Sequence, residues 1–179
     1  MNFLKAKVLG SQIAFQTAFK GFKVSAYDIS DEALEEAKER FNVLKERYQQ
    51  DEYGSKKEVD DGYNRISLYT DLAKAVENAD LVIEAVPELL SIKQDFYKKL
   101  SKVANKETIF ASNSSTMIPS QLVDFTDRPE KYLHLHFANE IWKLNIAEVM
   151  KHERTSIEVF EEVIDFAKAI GWFRSHPIT

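Results

Sequence analysis

His136 and Glu148, twelve positions apart, are the residues of this chain best suited to moving a proton. Histidine is the side chain that titrates near neutral pH without help. A carboxylate on its far ring nitrogen fixes the tautomer and stabilises the imidazolium, so the pair could shuttle a proton to or from an alcohol or a ketone. The two lie in Leu135-His136-Phe137-Ala138-Asn139-Glu140 and Ile146-Ala147-Glu148-Val149-Met150. That spacing suits neighbouring strands joined by a tight loop, which would bring the two side chains together. A surface histidine and a half-buried strand glutamate fit the spacing as well, because a titratable pair alone is only a probabilistic sign of function.

Other polar groups fall where predicted strands end, which is where open α/β sheets bind ligands. Asp28 follows the second expected strand, at about the distance where dinucleotide-binding folds carry the acid that binds the adenosine ribose. A carboxylate there repels a 2′-phosphate and favours NAD over NADP; it could equally begin the turn into the next helix. Glu88 and Lys93 lie where a strand turns into a helix, and either could face a nucleotide or simply be solvated. The run Ser112-Asn113-Ser114-Ser115-Thr116 could hydrogen-bond a ribose and a substrate carbonyl, or serve as caps and turns. No metal-binding constellation stands out, and there is neither a G-x-S-x-G nucleophile elbow nor a Walker A loop.

The elements that must position these residues alternate between helix and strand, which predicts an α/β fold with a largely parallel sheet. Residues 11–20 read as a helix closed by Gly21, and residues 22–27 as a strand. Ser30 caps a long helix whose buried stripe is Leu34, Ala37, Phe41, Leu44 and Tyr48. Residues 51–64, charged and glycine-containing, read as a mobile excursion. A short strand at 65–69 precedes a helix over 71–78 capped by Thr70. The apolar run 81–86 suits a buried parallel strand. A helix over 92–103, a strand at 108–111, strands at 132–137 and 145–150, and an amphipathic helix over 157–170 complete the pattern.

With 179 residues, 44% of them hydrophobic and 30% charged, the chain reads as a single domain over residues 1–179 with its own core. A net charge of −5 argues against a generic nucleic-acid partner. The absence of cysteine removes disulfides and thiolate chemistry. Neither a signal peptide nor a membrane-spanning run is present, so a soluble cytoplasmic protein is the expectation.

Four motifs, taken in order, resemble the 3-hydroxyacyl-CoA dehydrogenase family: Val8-Leu9-Gly10-Ser11-Gln12-Ile13-Ala14, Asp80-Leu81-Val82-Ile83-Glu84-Ala85-Val86, Ile109-Phe110-Ala111-Ser112-Asn113-Ser114-Ser115 and Leu135-His136-Phe137. The resemblance runs from about Val8 to Gly171. It implies a Rossmann-type NAD domain followed by a smaller helical domain, and oxidation of the C3 hydroxyl of a 3-hydroxyacyl-CoA (or reduction of the 3-ketoacyl-CoA). By the same resemblance His136 is the catalytic base, Glu148 its orienting carboxylate and Ser115 the donor to the substrate oxygen. Asn139 helps hold the reacting carbonyl, and Gly10, Asp28, Glu88, Lys93 and Asn113 lie near the cofactor.

The chain also departs from that pattern. The family's G-x-G-x-x-G reads Lys5-Ala6-Lys7-Val8-Leu9-Gly10 here, leaving only the third glycine. The first two glycines permit the tight turn and the close approach of backbone to pyrophosphate, so this chain is expected to be impaired in NAD binding and turnover. Only residues 1–4 precede that turn, which predicts a truncated first strand and, with it, a possible homo-oligomer. Residue 179 falls about where the family enters its C-terminal helical domain, so that domain is expected to be absent. Ala138 and Glu140 stand where the family has phenylalanine and proline, and Ile141-Trp142-Lys143 follows, which resembles a subgroup of short-chain 3-hydroxyacyl-CoA dehydrogenases and related ketone reductases. Two alternatives therefore remain: a non-catalytic folded or self-associating module, and a reductase acting on a non-CoA ketone.

Overall fold

The α1 helix (Lys7–Phe19) forms the centre of the molecule. It is apolar nearly all round, the pattern of a helix buried on every side, and residues 10–18 are all buried. Ile13 packs into one apolar cluster while Ala14, Phe15 and Ala18 pack into another, so α1 is shared by two parts of the core. It closes at Gly21, whose φ of +100° is the left-handed conformation glycine adopts without strain. The amides of Gly21 and Phe22 bond back to Ala18 and Thr17. The computed structural model describes residues 7–51, 53–144 and 146–171. The expected truncated first strand and the first part of its altered turn lie outside these residues. Residues 7–10, expected as the rest of that turn, are helical, and Gly10 is buried in the first turn of α1.

Strand β1 (Val24–Tyr27) leads to α2 (Asp31–Gln50), capped as expected by Ser30, whose hydroxyl accepts from the Ala33 amide. The predicted stripe of α2 is buried against α1. The segment read as an excursion contains a further helix, α3 (Lys56–Tyr63). A reciprocal capping box starts it: Ser55 and Glu58 each accept from the other's backbone amide. Val59 is buried, and Gly62 lies so close to α1 that a Cβ would stand 2.9 Å from Phe19 Cα.

Strand β2 (Ile66–Tyr69) pairs in parallel with β1. Asp71, rather than Thr70, caps α4 (Leu72–Val76), because its carboxylate reaches the Ala73 and Lys74 amides. Then follow β3 (Leu81–Glu84), α5 (Leu90–Val103), β4 (Ile109–Ser112), β5 (Tyr132–Phe137), β6 (Ala147–Met150) and α6 (Ile157–Ala169). Strands β3, β4 and β5 are parallel neighbours, and β6 returns antiparallel to β5. Among the described residues the strands thus form a parallel pair and a four-stranded sheet, flanked by helices in the Rossmann-like α/β manner expected. The carboxyl ends of β1, β3, β4 and β5 deliver Asp28, Glu88, Ser115 and His136.

Candidate active site

Antiparallel pairing of β5 and β6 places His136 directly opposite Glu148. The imidazole Nδ1 lies 3.1 Å from Glu148 Oε2, and Nε2 lies 3.1 Å from Ser115 Oγ. An ionised carboxylate only accepts, so Nδ1 carries the proton and Nε2 receives the serine hydroxyl. The His136 side chain is 26% exposed and Glu148 46%, so the line opens to solvent at the sheet edge. Such a line can pass a proton to a bound oxygen, or activate the serine as a nucleophile.

Several buried anchors hold this line in place. Asn113 Oδ1 accepts the Phe137 amide at 3.0 Å, tying the end of β4 to the residue after His136. This use of its carbonyl is structural, whatever its amide nitrogen does toward a cofactor. Glu84, at the end of β3, is wholly buried and receives four donors. They are Val86 N and Lys93 Nζ at 2.7 Å, Ser112 Oγ at 2.8 Å and Tyr97 OH at 3.1 Å. Lys93 is not at the protein surface: 1% exposed, it bridges Glu84 and, at 3.2 Å, Glu88. Burial pushes the Glu88 carboxyl up, but the Ser114 hydroxyl, the Lys93 charge and two donors of Thr116 outweigh it and hold it at about 2. Glu88 is therefore a fixed negative charge fastening residues 114–116, the turn that carries Ser115.

Asp28 is buried at the end of β1 and accepts the Ile29 amide at 2.7 Å. Asn139 is exposed in the bend after β5, beside Glu140, whose φ is +56°. His134, two residues before His136 and on the same face of β5, is fully buried. Desolvation, aided by the Lys93 charge, lowers its pKa to about 3. The structure thus gathers His136, Glu148, Ser115 and Asn113, and separately Glu88 with Lys93. Asp28 and Gly10 stand apart, near the carboxyl end of β1 and in α1. The motif reading left Glu84 without a role. Its signal, an acid closing an otherwise apolar buried strand, demands partners inside the protein. Among the described residues no group of three or more metal-ligating side chains forms, and no helix is long and apolar enough to cross a membrane. A cavity of about 460 Å³ opens at the amino ends of β3 and β4, lined by Asp80, Glu107 and Lys131. It lies at the sheet end opposite His136 and away from the ligand-binding edge of such sheets.

The polar groups at that edge, a buried acid after β1 and amide and hydroxyl groups after β4, lie where open α/β sheets bind ligands. Comparisons with known proteins give the family. The family profile described as "3-hydroxyacyl-CoA dehydrogenase, NAD binding domain" matches residues 6–174. The mitochondrial hydroxyacyl-coenzyme A dehydrogenase of Homo sapiens is 32% identical over 96% of this chain and 55% of its own length. A probable 3-hydroxybutyryl-CoA dehydrogenase of Bacillus subtilis is 34% identical over 91% of this chain and 56% of its own. The chain thus spans about half the length of these curated relatives. Among solved structures, a diketoreductase described for dual catalysis of dicarbonyl compounds is 49% identical. Its TM-score is 0.95, over 99% of this chain and 63% of its own.

Proposed function

The chain belongs to the 3-hydroxyacyl-CoA dehydrogenase family, as its NAD-binding domain, and from that premise we propose that it transfers hydride between a secondary alcohol carbon and nicotinamide, with His136 as general acid and base. The observation that carries this reading is the Ser115–His136–Glu148 line at the carboxyl edge of the sheet. NAD, the family's cofactor, accepts hydride from the alcohol carbon when bound. Asp28 would hold the adenosine ribose, with Asn113 and Ser114 near the other ribose. His136 Nε2 takes the hydroxyl proton as the carbon loses hydride, while Glu148 stabilises the imidazolium through Nδ1. Ser115 orients the reacting oxygen. In the reverse direction Nε2 returns the proton to that oxygen.

Lys5 and Lys7, in place of glycines, weaken the dinucleotide grip, since each backbone hydrogen bond to a charged phosphate contributes about 1.5–3 kcal/mol. In a fluorescence titration, the Lys5→Gly/Lys7→Gly chain should bind NADH at least tenfold more tightly than the parent; equal affinities would overturn this point. The substrate is either a 3-hydroxyacyl-CoA or a ketone without CoA. The second reading is favoured by the 49% identical diketoreductase and by Ala138 and Glu140. Comparing NADH oxidation with acetoacetyl-CoA and with a CoA-free 1,3-diketone tests the pair. Preference for the thioester supports the first and preference for the diketone the second; oxidation with neither in the Lys5→Gly/Lys7→Gly chain overturns the dehydrogenase reading.

A further inference from the structure

We propose that Gln12 is a positioning residue, which holds from α1 the turn that carries Asn139, three residues after His136; the inference rests on the dehydrogenase reading above. Gln12 is 4% exposed in the middle of the buried helix. Its Oε1 accepts the backbone amides of Glu140 at 2.8 Å and Ile141 at 3.4 Å. Among the described residues, Glu140 is the one non-glycine with positive φ, at +56°. A side chain disfavours that conformation, and it persists only where the surroundings impose it. Here the surroundings are identifiable. Glu140 O receives the Lys143 and Leu144 amides at 2.8 and 2.9 Å. Trp142 Nε1 donates to Asp51 at 2.8 Å, fastening the far side of the turn to the end of α2. Gln12 holds the near side. Asn139 thus sits between Phe137, fixed through Asn113, and Glu140, fixed through Gln12.

Gln12 and Glu140 are chemically matched. Proline, the residue common in the family at the position of Glu140, has φ locked near −65° and carries no amide hydrogen. It could neither adopt φ +56° nor donate to Gln12. With Glu140 in place, the chain has a free amide and an unlocked φ at that position, and Gln12 supplies the acceptor. Gln16, one turn further along α1, acts in the same way: its Nε2 donates to Ile170 O at 2.7 Å and its Oε1 receives Tyr48 OH at 2.6 Å. These two glutamines of the buried helix are tethers for the segments packed on it.

The test compares the full chain with Gln12→Met, which keeps length and loses the acceptor, Gln12→Glu, which keeps the acceptor, and Gln12→Met combined with Glu140→Gly. Amide hydrogen exchange at Glu140 and Ile141 is read by NMR, alongside kcat and KM for acetoacetyl-CoA and the Kd of NADH. In Gln12→Met, exchange at those two amides rises at least tenfold, kcat/KM for the ketone falls at least tenfold, and NADH affinity stays within twofold. Gln12→Glu retains most of the parent's values, and Glu140→Gly recovers part of the loss because glycine adopts positive φ unaided. Unchanged exchange in Gln12→Met, or equal losses in NADH and ketone binding, overturns the inference. Where the parent turns over too slowly, the kinetics are read in the Lys5→Gly/Lys7→Gly background; absence of turnover there overturns the dehydrogenase reading instead, and amide exchange alone then decides the clamp.

Discussion

Removing the ammonium of Lys93 should cost this protein about 3–5 kcal/mol, the usual penalty for stripping one partner from a buried ion pair. Lys93 and Glu84 are 1% and 0% exposed and 2.7 Å apart, so neither charge has water to fall back on. In Lys93→Met, Glu84 keeps its donors from Val86, Ser112 and Tyr97. It loses the one opposite charge that offsets its burial, and Glu88 loses a neighbour that helps keep it ionised. Replacing both members, in Glu84→Gln/Lys93→Met, removes the stranded charge and should restore much of the loss, giving a coupling energy of at least about 2 kcal/mol. Urea unfolding of the parent, both single variants and the double variant at low temperature measures the cycle. A Lys93→Met chain within about 1 kcal/mol of the parent, or additive single effects, would refute the claim that the network is a buried charge pair. Because Ser112 Oγ donates to Glu84, the same variants should disturb the segment carrying Ser115.

Stability should also fall with acid from an early point. His134 has a pKa of about 3 in the folded state against an ordinary 6.5, so below pH 6.5 the unfolded chain takes a proton that the folded one refuses. Its stabilisation is full above pH 6.5 and declines down to about pH 3; His134→Gln should flatten the slope between pH 6.5 and 5, and an unchanged slope would place the loss elsewhere. Glu88 adds a decline between pH 4.5 and about 2, where its lowered carboxyl finally protonates. Gly62→Ala should lower the midpoint of thermal unfolding by an amount equivalent to about 1–3 kcal/mol. Its new methyl would stand 2.9 Å from Phe19 Cα, and an unshifted midpoint would mean that α1 and α3 can separate freely.

Features that follow from local pattern were legible in the sequence. The period of two around His136 and Glu148, with a short connection, implies antiparallel neighbours, and the register pairs the two directly. The Ser30 cap and the α2 stripe follow from the same local rules. Composition misled at residues 51–64, where charge and glycine suggested an excursion. Ser55-Lys56-Lys57-Glu58 is a capping-box signature, and Val59 and Gly62 supply the packed face. Helix α1 starts earlier than its C-terminal signals suggest, because Leu9 packs on the core and helical conformation reaches back to Lys7. The buried network was hidden for a different reason. Lys93 on a helix reads as solvated, and only the register of β3 with β4 and the packing of α5 bring it to Glu84. Gln12 was hidden likewise, its partner lying 128 residues away.

The proposed proton transfer through His136 can be read from a single rate. The most direct measurement is the rate at which the Lys5→Gly/Lys7→Gly chain, saturated with NADH, reduces acetoacetyl-CoA, with and without His136→Gln. We expect measurable reduction that His136→Gln slows by about 10²–10⁴-fold with NADH affinity unchanged. Reduction that proceeds undiminished without the imidazole, or none with it in place, would rule out His136 as the proton carrier.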